Sequence, residues 1–290
     1  MSGRNSNSES RWRRVAAVTI ALVTVLAAVA VYALRRFETA ITFHPEPLDA
    51  ARKADASDRA ERVWFSVGSG EKIAGIFIGS RPPSSNGAVI YFHGNTGNVS
   101  NVLWIGEALA DRGCDVLLFD YRGYGGSDGE SGDEYKLYED GDAAYDYMTR
   151  SRGLAAGRVA LYGQSLGTTV AIDVASRRET RALVIESGLS SADDMAGHAA
   201  PWLPGWLHWL RRYKFESSRK LSSVHCPVLI THGLNDTTIP VEQARILYAA
   251  ANEPKHLEII PGVDHNVAGS VGMGYLDRVA RFIGDAQAPH

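Results

Sequence analysis

Short apolar runs recur along this chain, and from its middle onward helical patterns separate them. Arg62–Val67 and Lys72–Ile78 are β-prone and meet at Gly68-Ser69-Gly70, which predicts a hairpin. Further strand-like runs follow at Ala88–Phe92, Asp115–Asp120, Arg158–Tyr162, Ala182–Glu186, Pro227–Thr231 and His256–Ile260. Between the later runs, apolar residues return at helical spacing over about 99–112, 134–150, 165–178, 241–251 and 274–286. Strands alternating with helices predict an α/β domain with a mostly parallel sheet covered on both faces and entered by an antiparallel hairpin. Residues 188–222 break this rhythm and are too long for a simple loop, so they predict a cap.

The N-terminus has a different pattern. Residues 1–14 are polar and end in Arg11-Trp12-Arg13-Arg14, and Val15–Leu34 then runs for twenty residues without a charge before Arg35-Arg36. A helix of that length spans the bilayer core of about 30 Å. Ala28-Val29-Ala30 resembles a signal-peptide cleavage site, but the apolar run is long for a signal and the arginine pair suits an anchor flank. The reading is an uncleaved single-pass anchor at 15–34, a polar connector at 35–61 with a small apolar patch at Ile41 and Phe43, and one globular domain over 62–290. Three arginines before the span against two after it lean slightly towards a globular domain outside the cytoplasm. Asn98-Val99-Ser100 and Asn235-Asp236-Thr237 are glycosylation sequons in loops expected at the rim of the site, where a glycan would obstruct it.

Composition removes several function classes. A net charge of −3 supplies no basic field for a nucleic-acid partner. The two cysteines, Cys114 and Cys226, indicate neither a disulfide framework nor a zinc site, and the nine histidines form no ligand spacing with carboxylates. No cofactor and no metal are expected.

In open parallel sheets, ligands bind beyond the carboxyl ends of the strands. Gly163-Gln164-Ser165-Leu166-Gly167 stands between a strand-like run and a helical one, the context of a nucleophile elbow. Asp236 follows the run at 227–231 and His265 follows the run at 256–260. Ser165, Asp236 and His265 thus occupy strand ends in one of the chain orders known for a catalytic triad. Ser165 is the candidate nucleophile, His265 its base and Asp236 the acid that orients the imidazole, with Glu186 as rival for that last role. Backbone amides of Leu166 and Asn95 are the candidate oxyanion donors. His93 and His232 are expected to hold loop backbone, Asp264 to be solvated, and Asp120 and Arg122 to lock the turn around Gly123 and Gly125.

With these motifs the chain resembles the α/β-hydrolase superfamily from about residue 62 to the end. Within it, the N-terminal anchor, Phe92-His93-Gly94-Asn95, Asp120-Tyr121-Arg122-Gly123-Tyr124-Gly125, the elbow and His232-Gly233 resemble the membrane-anchored abhydrolase-domain serine hydrolases, a group including protein depalmitoylases and uncharacterised bacterial members. The resemblance implies an eight-stranded, mostly parallel sheet with a short helical cap, and an ester or thioester hydrolase that forms an acyl-enzyme. Its substrate would be a small acyl ester or thioester, free or on a lipidated partner. An aminopeptidase-type hydrolase and a catalytically silent binding protein are the alternatives. In the cap, Trp202, Trp206 and Trp209 with Leu203, Leu207 and Leu210 are candidates for an acyl-pocket lining or for a surface resting on lipid.

Overall fold

A computed structural model of the chain describes residues 5–48, 58–81, 86–199 and 211–286. Eight strands, β1 (Ala60–Ser66), β2 (Lys72–Ile78), β3 (Ala88–Phe92), β4 (Asp115–Phe119), β5 (Val159–Gln164), β6 (Leu183–Glu186), β7 (Val228–Gly233) and β8 (Lys255–Ile260), pair into one sheet. Their order is β1-β2-β4-β3-β5-β6-β7-β8, and β2 alone runs antiparallel to its neighbours. Each strand matches an apolar run in the sequence. However, β5 and β7 each continue two residues beyond the run, to Gln164 and Gly233, which carries main-chain pairing up to the site.

The central strands are apolar on both faces because both faces are covered. In β3, Ala88, Ile90 and Phe92 enter one core while Val89 and Tyr91 enter the other. The first core is closed by α3 (Glu134–Asp146), α4 (Leu166–Ala175), α6 (Ser217–Leu221) and α7 (Glu242–Ala250). The second is closed by α2 (Leu103–Ala110), α8 (Val267–Val271) and α9 (Met273–Asp285). In α9 the buried positions Tyr275, Leu276, Val279, Ala280 and Ile283 form one helical stripe. The stretch expected as one helix over 99–112 is instead a short 3₁₀ turn, Val99–Asn101, followed by α2, because Asn98 and Asn101 cap that turn reciprocally.

The N-terminal helix α1 (Asn5–Thr42) is 38 residues long, about 57 Å at 1.5 Å per residue. Its Arg11–Thr42 portion holds an apolar window of mean hydropathy 2.5 that buries nothing against the protein. The expected connector at 35–61 is corrected in part: α1 runs on through Arg35–Thr42, and residues 43–48 lie on the globular domain. Phe43 is buried with its ring 5.2 Å from that of Tyr213. His44–Pro45 form a two-residue parallel ladder with Thr96–Gly97, and Pro47 bridges Gly125. This segment reads as polar because it docks through its main chain. Within the cap region, α5 (Ala192–Ala199) and α6 are described, whereas Trp202, Trp206, Trp209 and the leucines between them lie outside the described residues.

Candidate active site

Strand β5 delivers the chain into a sharp reversal at Ser165, which has φ 52° and ψ −123°. A non-glycine residue held there costs on the order of 1–3 kcal/mol and needs its surroundings to impose it. The Ser165 amide donates to the Glu186 carbonyl at 2.9 Å, and the Ser165 carbonyl accepts from the Thr168 amide at 3.0 Å and hydroxyl at 2.6 Å. The flanking glycines admit close contact. A Cβ on Gly163 would lie 2.5 Å from Thr168 Cα, and one on Gly167 would lie 2.0 Å from the Phe92 carbonyl oxygen.

Three strand-end loops converge on this turn. His265 Nε2 is 3.0 Å from Ser165 Oγ, and His265 Nδ1 is 2.8 Å from Asp236 Oδ2. Asp236 Oδ1 accepts from the amides of Thr238 and Ile239, each at 2.8 Å, and its side chain is fully enclosed. Burial by itself would raise the Asp236 pKa, but hydrogen bonds from His232, His265 and the Ile239 amide more than offset it and hold the carboxyl well below the usual range. An ionised Asp236 accepts a hydrogen bond from Nδ1–H of His265, which keeps the proton on Nδ1 and leaves the Nε2 lone pair facing the Ser165 hydroxyl.

The neighbours take definite places. His232 Nε2 donates to the Ile239 carbonyl at 2.8 Å and lies 3.2 Å from Asp236 Oδ2, so it braces the carboxylate as well as the loop. Glu186 does not contact the imidazole. It is buried, accepts from the Ala268 amide at 3.0 Å and from the Tyr162 hydroxyl, and burial raises its pKa. Asp264, expected to be merely solvated, is exposed yet joins two loops by accepting from the amides of Thr237 and His265, both at 2.8 Å. Asp120 accepts from the Val99 amide at 2.8 Å and the Gly126 amide at 3.2 Å, and burial pushes its pKa up to about 6. Arg122 departs from its expected role, since its side chain turns to α3 and binds Asp140 at 2.6 Å.

The loop after β3 carries Asn95. Its carbonyl accepts from the His44 amide and from the Tyr124 hydroxyl, both at 2.9 Å, while His93 Nδ1 donates to the Gly94 carbonyl at 2.7 Å. Burial lowers the His93 pKa to about 4, so the ring is neutral. Leu166 is the first residue of α4 and its amide has no intrahelical acceptor. Among the described residues, neither the Asn95 nor the Leu166 amide donates to a protein acceptor. Asn98 and Asn235 hold loops with their side-chain amides: Asn98 Nδ2 donates to the Glu46 and Pro47 carbonyls, and Asn235 Oδ1 accepts from the Gly262 amide.

Above Ser165 lies a cavity of about 370 Å³, within the size of small-molecule sites. Asn95 and Leu166 reach it, and Leu189, Met195, Tyr213, Phe215 and Ile239 make its wall mainly apolar. The end of α1 contributes Glu38, Ile41 and Thr42. Sequence reasoning assigned none of these three to the site; the apolar patch at Ile41 and Phe43 was the only sign of them.

The family described as serine aminopeptidase, S33, matches this chain over residues 83–220. The chain is 36% identical over 215 residues to an uncharacterized protein of Mycobacterium tuberculosis (strain ATCC 25618 / H37Rv), spanning 74% of this chain and 75% of that one. It is 30% identical over 227 residues to alpha/beta hydrolase domain-containing protein 17B of Xenopus laevis, spanning 78% and 76% respectively. Among solved structures, the esterase Pf2001 of Pyrococcus furiosus superposes with a TM-score of 0.68 at 22% identity, over 85% of this chain and 98% of that one.

Proposed function

Since the chain belongs to the α/β-hydrolase superfamily and is related to its abhydrolase-domain proteins, we propose that it is a membrane-anchored serine hydrolase that cleaves carboxylic esters or thioesters. The observation that carries this reading is the continuous path Ser165–His265–Asp236, at 3.0 and 2.8 Å, beside an apolar cavity and two amides that have no protein acceptor among the described residues. In the reaction, Ser165 Oγ attacks the acyl carbonyl as its proton passes to His265 Nε2. The tetrahedral oxyanion rests against the amides of Leu166 and Asn95. Collapse expels the alkoxide or thiolate, which takes the proton from His265, and leaves the acyl group on Ser165. Water then gives a proton to His265 and attacks the acyl-enzyme, releasing the acid and restoring the hydroxyl. Asp236 keeps Nδ1 protonated and stabilises the imidazolium formed in each half-reaction.

Anchoring is supported by the exposed apolar length of α1, which is exposed on every side rather than along one stripe. The anchored protein stays with membranes through alkaline and high-salt washes; release by either would favour an interfacial helix.

A serine aminopeptidase is the second reading, favoured by the description of the matching family. Glu38 is the acidic side chain among the described residues lining the cavity, and its Oε2 already accepts from the Arg212 amide at 2.8 Å. A panel of esters, thioesters and aminoacyl amides sharing one acyl group decides between the two. Higher kcat/KM on the esters and thioesters supports the proposal, and preference for the amides replaces it with the peptidase.

A further inference from the structure

The last turns of α1 do more than lead from the span to the domain. Glu38 Oε2 accepts from the Arg212 amide at 2.8 Å, Thr39 Oγ1 lies 2.7 Å from the Tyr213 hydroxyl, and Phe43 buries its ring edge-on to Tyr213. Tyr213 itself donates to the Gly132 carbonyl at 2.7 Å and lines the cavity over Ser165. The helix end is therefore fixed to Tyr213, a side chain that walls the cavity. On its inner side it presents Ile41 and Thr42 to that cavity.

Ile41 faces the cavity and is also 55% exposed. At helical spacing it shares a face with Phe37 and Leu34, which are exposed too. That stripe runs from the cavity wall to the end of the charge-free segment at Leu34. The rise along the helix from Leu34 to Ile41 is about 10 Å, whereas the polar layer on each side of a bilayer is roughly 5–8 Å deep. Arg35 and Arg36 are exposed at this level, and so is Arg212, which meets Glu38. With α1 spanning a bilayer up to Leu34, this spacing puts the cavity beside the headgroup layer, and Leu34, Phe37 and Ile41 form an apolar path from it to the hydrocarbon.

We propose that the end of α1 is a wall of the acyl site, that Ile41 sets acyl-chain selectivity, and that the cavity receives its chain from the bilayer in which α1 sits. This rests on the hydrolase reading above. A chain entering along Leu34, Phe37 and Ile41 stays in apolar contact over its length, and each buried methylene raises the specificity constant by up to about fourfold. A short acyl group reaches Ser165 without touching this wall.

The test uses the full-length protein in phosphatidylcholine nanodiscs with p-nitrophenyl acetate and p-nitrophenyl decanoate. Ile41→Trp fills the path at an exposed position, and the ratio of decanoate to acetate kcat/KM is expected to fall at least tenfold. Ile41→Leu should keep the ratio within about threefold. Leu26→Trp, which alters the same helix away from the cavity, should match the wild type. In a second arm, a decanoyl ester with a lipid-like tail is placed either in the enzyme's own nanodiscs or in separate vesicles. Turnover is expected to be at least tenfold faster from the shared bilayer. An unchanged ratio in Ile41→Trp, with native circular dichroism, overturns the role of Ile41. Equal rates from both lipid pools overturn the bilayer route. Loss of the hydrolase reading would register separately, as ester turnover that survives Ser165→Ala.

Discussion

Gly167→Ala probes how the elbow holds the site. The added Cβ would stand 2.0 Å from the Phe92 carbonyl oxygen, 2.5 Å from the Phe92 carbonyl carbon and 2.6 Å from the His93 carbonyl oxygen. All three are backbone atoms, so no side chain can swing aside, and ordinary contact begins only at 3.4 Å. Relief requires α4 and the end of β3 to separate by more than about 1 Å. That shift moves the Leu166 amide at the head of α4 away from the Asn95 loop that follows β3. A displacement near 1 Å at reacting groups costs about a hundredfold in rate. Overpacking of this kind costs about 1–3 kcal/mol of stability, or roughly 2–12 °C in Tm for a domain of this size. Ester kcat/KM and thermal unfolding followed by circular dichroism measure the two effects. Gly197→Ala in α5 is the control, since a Cβ there meets nothing within 4 Å among the described residues and alanine favours the helix. Wild-type Tm and kcat/KM within threefold for Gly167→Ala would mean that α4 and β3 do not need this close contact to hold the two amides.

Asp236→Asn should lower kcat by about four orders of magnitude, as the same change does in serine proteases, whereas Glu186→Gln should retain activity within about tenfold because its carboxyl bonds to Ala268 and Tyr162 instead of the imidazole. Phe43→Ala should cost about 3 kcal/mol by emptying the site beside Tyr213, and should slow acylation by loosening the His44–Asn95 strap; thermal melts and single-turnover rates check both. Cys114 and Cys226 are buried free thiols, with burial pushing Cys114 up to about 12 and raising Cys226 as well, so a thiol reagent should modify neither in the native protein and both after denaturation. The strands they precede stand four positions apart in the sheet, about 19 Å, so a native Cys114–Cys226 bridge would contradict the strand order.

The strands were readable because burial on both faces demands unbroken apolar runs, as in Ala88–Phe92. Their ends were less so, because Gln164 and Gly233 pair through main chain that carries no side-chain signature. Ser165, Asp236 and His265 stood out because strand ends are few and each follows an apolar run. Asp236 was legible over Glu186 because His232-Gly233 just upstream puts it at a turn tip, and that tip reaches His265 at 2.8 Å. The role of Asp264 was hidden because an exposed carboxylate beside a histidine looks the same whether or not it caps a neighbouring loop. The docking of residues 38–48 escaped for a similar reason: Phe43 is a lone aromatic in a polar stretch, and the other contacts run through the polar side chains of Glu38 and Thr39 and through backbone.

Passage of the acyl group through Ser165 can be followed by rapid-quench mixing of the full-length protein with excess p-nitrophenyl decanoate and intact-mass and peptide mass analysis. A p-nitrophenol burst of about one equivalent per active site is expected, with a decanoyl increment on the peptide containing Ser165. Both should be absent in Ser165→Ala, and the burst should slow by orders of magnitude in His265→Ala. An undiminished burst in Ser165→Ala, or a decanoyl group carried by another residue, would contradict passage through Ser165.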